Sequence, residues 1–235
     1  FDFYYENSNF TIPFVISTLV SSIVTLIGIP RLKKIKIKQI IRKEGPKNHF
    51  LKQGTPTMGG IFFVPIGVII SNIIYFNKDD YKVILTLSFV IISFMFIGFI
   101  DDFISLKKQF NTGLKSGQKI TLQSIFGLIF IIICASNNLL PDNIPIANKI
   151  FHIGSLIYPL GLFVLLAESN STNLTDGLDG LLSGCSVLIL AGLAITILIE
   201  NPSNNSSLAP FCIVMAGTCM GFLFLNKYPA KLFMG

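Results

Sequence analysis

Charge is scarce in this chain: 13% of its 235 residues are Asp, Glu, Lys or Arg, against 51% hydrophobic, and the mean hydropathy is +0.70. A soluble domain needs a polar surface around its core, so this shortage excludes that class and leaves a polytopic membrane protein. Histidine is nearly absent. His49 and His152 are far apart and fall on opposite predicted sides of the membrane, which rules out a histidine cluster for a metal. The four cysteines, Cys134, Cys185, Cys212 and Cys219, all lie in apolar runs without paired spacing, so neither a zinc site nor a disulfide framework is indicated and packing is their simplest role. No basic region precedes the first apolar run, which follows Asp2 and Glu6; a cleavable signal peptide is therefore not expected, and the first helix should be retained.

What is present is apolar sequence in long stretches. Crossing the roughly 30 Å hydrocarbon layer takes about 20 residues of helix, since every backbone polar group must be paired within the segment. Seven stretches qualify, near 12–30, 58–76, 82–100, 120–136, 153–168, 180–199 and 208–225, so an all-α membrane domain with seven transmembrane helices is predicted. With the N-terminus outside, the inner segments are 31–57, 101–119, 169–179 and 226–235, and they hold 15 of the 18 Lys and Arg residues. The outer segments hold only Lys78, Lys82 and Lys149, an asymmetry that fits the positive-inside rule. Most of the lysines in "RLKKIKIKQIIRKEGPKNHFLKQ" then need no further role than topogenic charge and attraction to anionic headgroups, and no nucleic-acid partner is implied.

This orientation puts every unusual polar motif on the cytoplasmic face. In "KQGTPTMGG", Lys52 to Gly60, the glycines and Pro56 permit close backbone approach, and Thr55 and Thr57 can donate to phosphate; on local physics alone a plain capped helix entry, with glycines that help helices pack in lipid, is the favoured account of the motif. In "GFIDDF", Asp101 and Asp102 are adjacent, so on a helix they point about 100° apart and should have separate duties. Two acids at a helix C-terminus oppose its dipole and call for a cation, either a divalent metal or nearby Lys115 and Lys119. In "NLTDGLDG", Asn173, Asp176 and Asp179 recur every third residue beside Gly177 and Gly180, an arrangement suited to a nucleotide head group or to Mg²⁺. A glycine-rich turn alone would not need both acids. Hard oxygen ligands select Mg²⁺ or Mn²⁺, and lysine beside such a metal suits phosphate chemistry.

Together, "GTPTMGG", "IDDF", "NLTDGLDG" and "GFLFLNKYPAKLFMG", in this order and at these separations, closely resemble the phospho-N-acetylmuramoyl-pentapeptide transferase family from about residue 40 onward. The resemblance implies an Mg²⁺-dependent (or Mn²⁺-dependent) enzyme of the bacterial cytoplasmic membrane. Undecaprenyl phosphate would attack UDP-N-acetylmuramoyl-pentapeptide, giving lipid I and UMP for peptidoglycan, and the protein would be a homodimer. By the family's pattern Asp101 and Asp102 engage the lipid phosphate and catalysis, and Asp176 catalysis and metal. Asn173, Gly177 and Asp179 would hold the uridine, Lys52 and Thr57 would lie near the nucleotide, and Asn226 and Phe233 near metal and uracil. Lys119 is a further phosphate contact on general grounds. A phosphate monoester has a second pKa of about 6, so its nucleophilic oxygen is already largely ionised at neutral pH; orientation and metal contact therefore fit Asp101 better than proton abstraction.

Two departures stand out. Where the family reads close to Gly-Thr-Ser-Asn-Ala-Val, this chain has "AESNST", with Glu168 an additional acid. The family's principal magnesium aspartate, from a Gly-Asp-Thr-Gly-Ser motif, would fall just after Gly235, with further helices and a histidine loop beyond, so these residues are expected to be the first seven of about ten spans and inactive alone. The nearest alternative is a sister enzyme that transfers N-acetylhexosamine-1-phosphate to a polyprenyl phosphate. From another class, an ion-coupled transporter would use Asp101, Asp102 and Glu168 as cation relays, but transporters place carboxylates near the bilayer midplane and show internal repeats, and no repeat is visible here.

Overall fold

The computed structural model describes residues 10–34, 55–76, 80–108, 113–146, 149–200 and 207–235. Each predicted span is a helix: α1 (Thr11–Lys34), α2 (Gly60–Tyr75), α3 (Tyr81–Lys108), α4 (Ser116–Ser136), α5 (Ile157–Thr175), α6 (Leu181–Glu200) and α7 (Leu208–Asn226). Five of them, α1, α3, α4, α6 and α7, are long and apolar enough by themselves to cross a membrane. The other two depart from the predicted boundaries for local reasons.

Residues 55–58 enter α2 without regular structure, with Met58 in the left-handed region at φ 69°, so the helix starts only at Gly60 and has 16 residues. On α5 the helix is displaced toward the cytoplasm. Its outer end gives way to a short 3-10 turn at Gly154–Leu156, while its inner end runs through "ESNSTNLT", predicted as a loop from residue 169. Polar side chains there bond back to the preceding turn, as Asn170 Nδ2 does to Leu166 O, Thr172 Oγ1 to Glu168 O and Thr175 Oγ1 to Ser171 O, and so they coexist with helix. The predicted inner segment 101–119 is likewise partly helical: Asp101 and Asp102 lie within α3, whose last residue is Lys108. Between α4 and the 3-10 turn, β1 (Asn143–Ile146) and β2 (Lys149–His152) form an antiparallel pair. Strands of four residues are too short for a period-two pattern to stand out.

Helix α7 is the hub, packed against α1, α2 and α6. Gly217 and Gly221 make a Gly-x-x-x-Gly face against α1, where a side chain would strike Ser17 Oγ and the Phe14 and Thr18 carbonyls. In their absence the backbones approach closely enough for Ser21 Oγ to donate to Thr218 O at 2.8 Å and Ser22 Oγ to Gly221 O at 3.1 Å. Apolar burial adds little between helices in lipid, so contacts and bonds of this kind set the pairing. Toward the cytoplasm Ile29, Leu32, Phe63, Val187, Phe222, Leu225 and Leu232 form the main core, with the Phe63 and Phe222 rings stacked at 4.6 Å. At the outer end Asp80, just before α3, accepts from both the backbone N–H and the hydroxyl of Ser207, just before α7.

The chain then leaves α7 and returns across the cytoplasmic end as a strap. Lys231 N donates to Leu225 O, Phe233 N to Pro56 O, Gly59 N to Phe233 O and Gly60 N to Met234 O, the last three at 2.9 Å each. This ladder joins "GTPTMGG" to "LFMG". Gly59 is required at the crossing, since a Cβ there would meet the Phe222 ring at 2.5 Å and Phe233 O at 2.8 Å.

Candidate active site

Where the strap meets α2, α3, α4, α5 and the start of α6, it closes one side of a cleft of about 360 Å³. Its deep wall is apolar, with Ile91, Phe94, Met95 and Phe99 of α3, and its polar rim carries Asp102, Lys119, Gln123, Ser169, Thr172, Asn173 and Asp176.

The adjacent acids of α3 have separate partners, as their angular offset requires. Asp101 turns to the α3–α4 connection: Leu114 N donates to its Oδ1 at 2.7 Å and Lys119 Nζ to its Oδ2 at 3.1 Å. Gly113 makes this closure possible, because any side chain there would overlap the Asp101 carboxylate and carbonyl. Asp102 turns into the cleft. Gly235, at φ 113°, lies against Asp102 Oδ2 so closely that a Cβ would collide with it, and the Gly235 backbone bonds Asp176. One backbone position thus touches both carboxylates.

Asp176 terminates α5, placed there by the turn through Gly177 and Gly180, the latter at φ 75°. Burial pushes its carboxyl up to about 7; the Gly235 hydrogen bond works against that shift, and the negative charge of Asp102 adds to it. Opposite stands Lys119, whose ammonium also donates to Asn173 Oδ1 at 3.4 Å. Two carboxylates and a lysine therefore meet at the mouth of an apolar cleft.

Of the residues singled out from the sequence, Asp102, Asp176, Lys119 and Asn173 line the cleft, with Asp101 bonded to Lys119 behind it. The others are placed differently. Asn226, 1% exposed, uses its side chain internally: Oδ1 accepts from Gly180 N and Ser183 Oγ, and Nδ2 donates to Leu232 O. Asp179 accepts from Ala230 N at 3.0 Å, tying its loop to the strap. Phe233 contributes both backbone groups to the ladder with Pro56 and Gly59, and Thr57 is buried beneath that ladder. Gly177 is exposed beside Asp176 but outside the cleft wall, and Lys52 lies outside the described residues. Glu168 is exposed on α5.

The structure adds Gln123, Ser169, Thr172 and Gly235 to the site. A signal for Gln123 was available: it stands four residues after Lys119 in an otherwise apolar run, hence on the same helix face. Among the described residues no three His, Cys, Asp or Glu side chains gather as a metal shell. The pair Asp102 and Asp176 nonetheless suits a divalent cation of the magnesium type, which usually takes one or two carboxylates and completes its shell with water and substrate phosphate.

A family profile described as glycosyl transferase family 4 matches residues 84–235, and one described as phospho-N-acetylmuramoyl-pentapeptide-transferase signature 1 matches residues 52–64. Among curated relatives, a phospho-N-acetylmuramoyl-pentapeptide-transferase of Prochlorococcus marinus (strain NATL2A) is 82% identical across 100% of this chain and 63% of its own length. Others of the same description, from a second Prochlorococcus marinus strain and from Synechococcus sp. (strain CC9311), are 46% and 43% identical, each over 100% of this chain and 64% of the relative. The chain thus spans a little under two thirds of the length of these relatives.

Proposed function

The chain belongs to glycosyl transferase family 4, and from that membership we propose that the protein transfers phospho-N-acetylmuramoyl-pentapeptide from its UDP-linked donor to undecaprenyl phosphate, yielding lipid I and UMP. It is a multi-pass protein of the bacterial cytoplasmic membrane. One observation carries the reading: Asp102 and Asp176 face one cleft at the cytoplasmic end of the helices, beside Lys119 and above an apolar wall.

Both substrates bring phosphate, so the task of the site is to let two anions approach and to stabilise the charge that collects on the leaving UMP. Mg²⁺ fits the Asp102 and Asp176 carboxylates and, when bound, supplies positive charge to the phosphates. Lys119, held by Asp101, presents a fixed ammonium to the same space. That ammonium orients a phosphate oxygen without needing to swing in from solvent. The acceptor's phosphate is largely ionised at neutral pH, so no general base is required and the acids serve by position and charge. Isoleucine, phenylalanine and methionine side chains of α3 below Asp102 suit an isoprenoid chain, whereas Asn173 at the rim suits the more polar donor. A homodimer belongs to the same reading and is checked by the mass of the protein in detergent.

The test is UMP release by the protein as its gene encodes it, in detergent with undecaprenyl phosphate. Magnesium-dependent release with UDP-N-acetylmuramoyl-pentapeptide, and not with UDP-N-acetylglucosamine, is expected. Release with the second donor alone would transfer the protein to the sister polyprenyl-phosphate hexosamine transferases. Release with neither would return attention to ion coupling, although the described acids of the cleft gather at one membrane face rather than at its midplane.

A further inference from the structure

Helix α5 carries the site's Thr172 and Asn173 and ends at Asp176, yet none of its residues is buried and its main helical neighbour is α4. The seam between the two follows one face of α4 in steps of four residues. At the outer end Ile131 packs on Gly161, where a Cβ would sit 3.6 Å from Ile131 Cδ1. One turn inward Gly127 accepts Leu162, whose Cδ1 lies 2.9 Å from where a Cβ would be. These contacts are apolar and lipid chains can substitute for them, so they specify rotation and register weakly. At the cytoplasmic end Lys119 reaches Asn173, but at 3.4 Å and exposed, a contact too long and too wet to set the geometry.

The remaining rung is Gln123. It is 1% exposed, and both ends of its amide are used: Nε2 donates to Ser169 Oγ at 2.9 Å and Oε1 accepts from Asn170 Nδ2 at 3.1 Å. Rotating α5 by one residue, or sliding it by a turn, would part the Gln123 amide, itself buried, from both partners. We propose that Gln123 is a positioning residue whose paired bonds to Ser169 and Asn170 lock the rotation and register of α5 against α4, and so hold Asn173 opposite Lys119 and aim Asp176 into the cleft. A single buried polar pair that selects one alignment among several apolar ones is a known use of such groups. The catalytic consequence rests on the transferase reading above; the geometric claim does not.

The experiment uses the full-length protein with two readouts. Spin labels are placed on Ile132 of α4 and Phe163 of α5, 65% and 67% exposed, in a background with every cysteine of the full-length protein, Cys134, Cys185, Cys212 and Cys219 among them, changed to alanine. Pulsed electron spin resonance then reports the distance distribution between the helices. Gln123→Leu keeps the apolar seam and removes both bonds; it should broaden or split the distribution and lower kcat about 10- to 100-fold, with a smaller change in KM. The double variant Ser169→Ala, Asn170→Ala leaves Gln123 in place and should broaden it likewise, which covers the case in which Gln123→Leu does not insert. Exchanging the partners, Gln123→Ser with Ser169→Gln, should narrow the distribution again. A single unbroadened distance in the double variant or in Gln123→Leu overturns the proposal, whether or not UMP release is observed. Loss of UMP release in every form, the parent included, would overturn the transferase reading alone.

Discussion

Asparagine at position 101 and asparagine at position 102 should change thermal stability in opposite directions. The Asp101 carboxylate accepts from two donors, Leu114 N–H and the Lys119 ammonium, and the side chains of Lys119 and Asp101 are 17% and 23% exposed. An asparagine there has one acceptor end and one donor end, so one of the two contacts becomes donor against donor. A hydrogen bond involving a charged group contributes about 1.5–3 kcal/mol net, and the residual solvent access at this pair argues for the lower part of that range, about 1.5–2 kcal/mol. At about 2–4 °C per kcal/mol, the scale for about 150–250 residues, such a loss lowers the melting temperature by about 3–8 °C. Asp102 is different, because its negative charge faces that of Asp176 across the cleft. Removing it relieves like-charge repulsion, and Asp102→Asn should melt at or above the parent temperature in metal-free buffer. On the proposed function, activity should fall in both, about 10-fold in Asp101→Asn through a loosened Lys119, and about 100-fold or more in Asp102→Asn, which alters a group that faces the cleft. Differential scanning fluorimetry in detergent without Mg²⁺, paired with UMP release, measures both quantities. Equal destabilisation by the two substitutions, or an unchanged melting temperature for Asp101→Asn, would refute the division of duties between them.

Three other perturbations follow from the same geometry. The Asp176 carboxyl titrates at about 7 in the folded state against an ordinary 3.8, so the native protein holds this proton more tightly than the unfolded chain; stability should fall as pH rises from about 4 to 7 and level off above, and Asp176→Asn should flatten that slope in metal-free melting curves, while added Mg²⁺ should stabilise the parent more at pH 8 than at pH 6. Asn226→Ala strands Gly180 N–H and Leu232 C=O at a buried site and leaves the Ser183 hydroxyl only its 3.3 Å bond to Gly180 O, so a loss of about 2–4 kcal/mol is expected in denaturant or thermal unfolding, with KM for the UDP donor unchanged in the fraction that remains folded. Gly59 has φ −64°, which alanine tolerates, so Gly59→Ala tests sterics alone: overpacking against Phe222 and the strap should cost about 1–3 kcal/mol, and an unchanged melting temperature would mean that the strap does not lie against α2 as described.

The sequence and the site differ in how far apart their information lies. Near the termini of α2 and α5, local chemistry decided boundaries that hydropathy could not: the irregular entry at residues 55–58, with Met58 at φ 69°, and the back-bonded polar turns after Leu166. The β1–β2 pair was not legible because strands of four residues carry too little pattern. In the site, Asp102, Asp176, Lys119 and Asn173 were readable as polar residues on the inner face, since ionised groups are costly in lipid and are rarely retained there without use. Asn226 and Asp179 were readable by the same rule, but their side chains are engaged with Gly180, Ser183, Leu232 and Ala230 inside the protein. A one-dimensional pattern marks a polar residue as unusual without saying whether its partner is a ligand or a distant backbone group.

The seven α-helices of the described residues and the gathering of acids and Lys119 at one end of them were legible in the sequence by itself. These follow from the cost of placing charge and unpaired backbone in hydrocarbon, which acts residue by residue within each segment of about 20. Only the tertiary structure decided which of two neighbouring aspartates enters the cleft, which asparagine it leaves at the rim, and that a glutamine in α4 aligns α5. Those outcomes depend on helix phase and on partners such as Leu114 for Asp101, Ser169 for Gln123 and the Gly235 backbone for Asp176, brought together by close packing around α7 rather than by proximity along the chain.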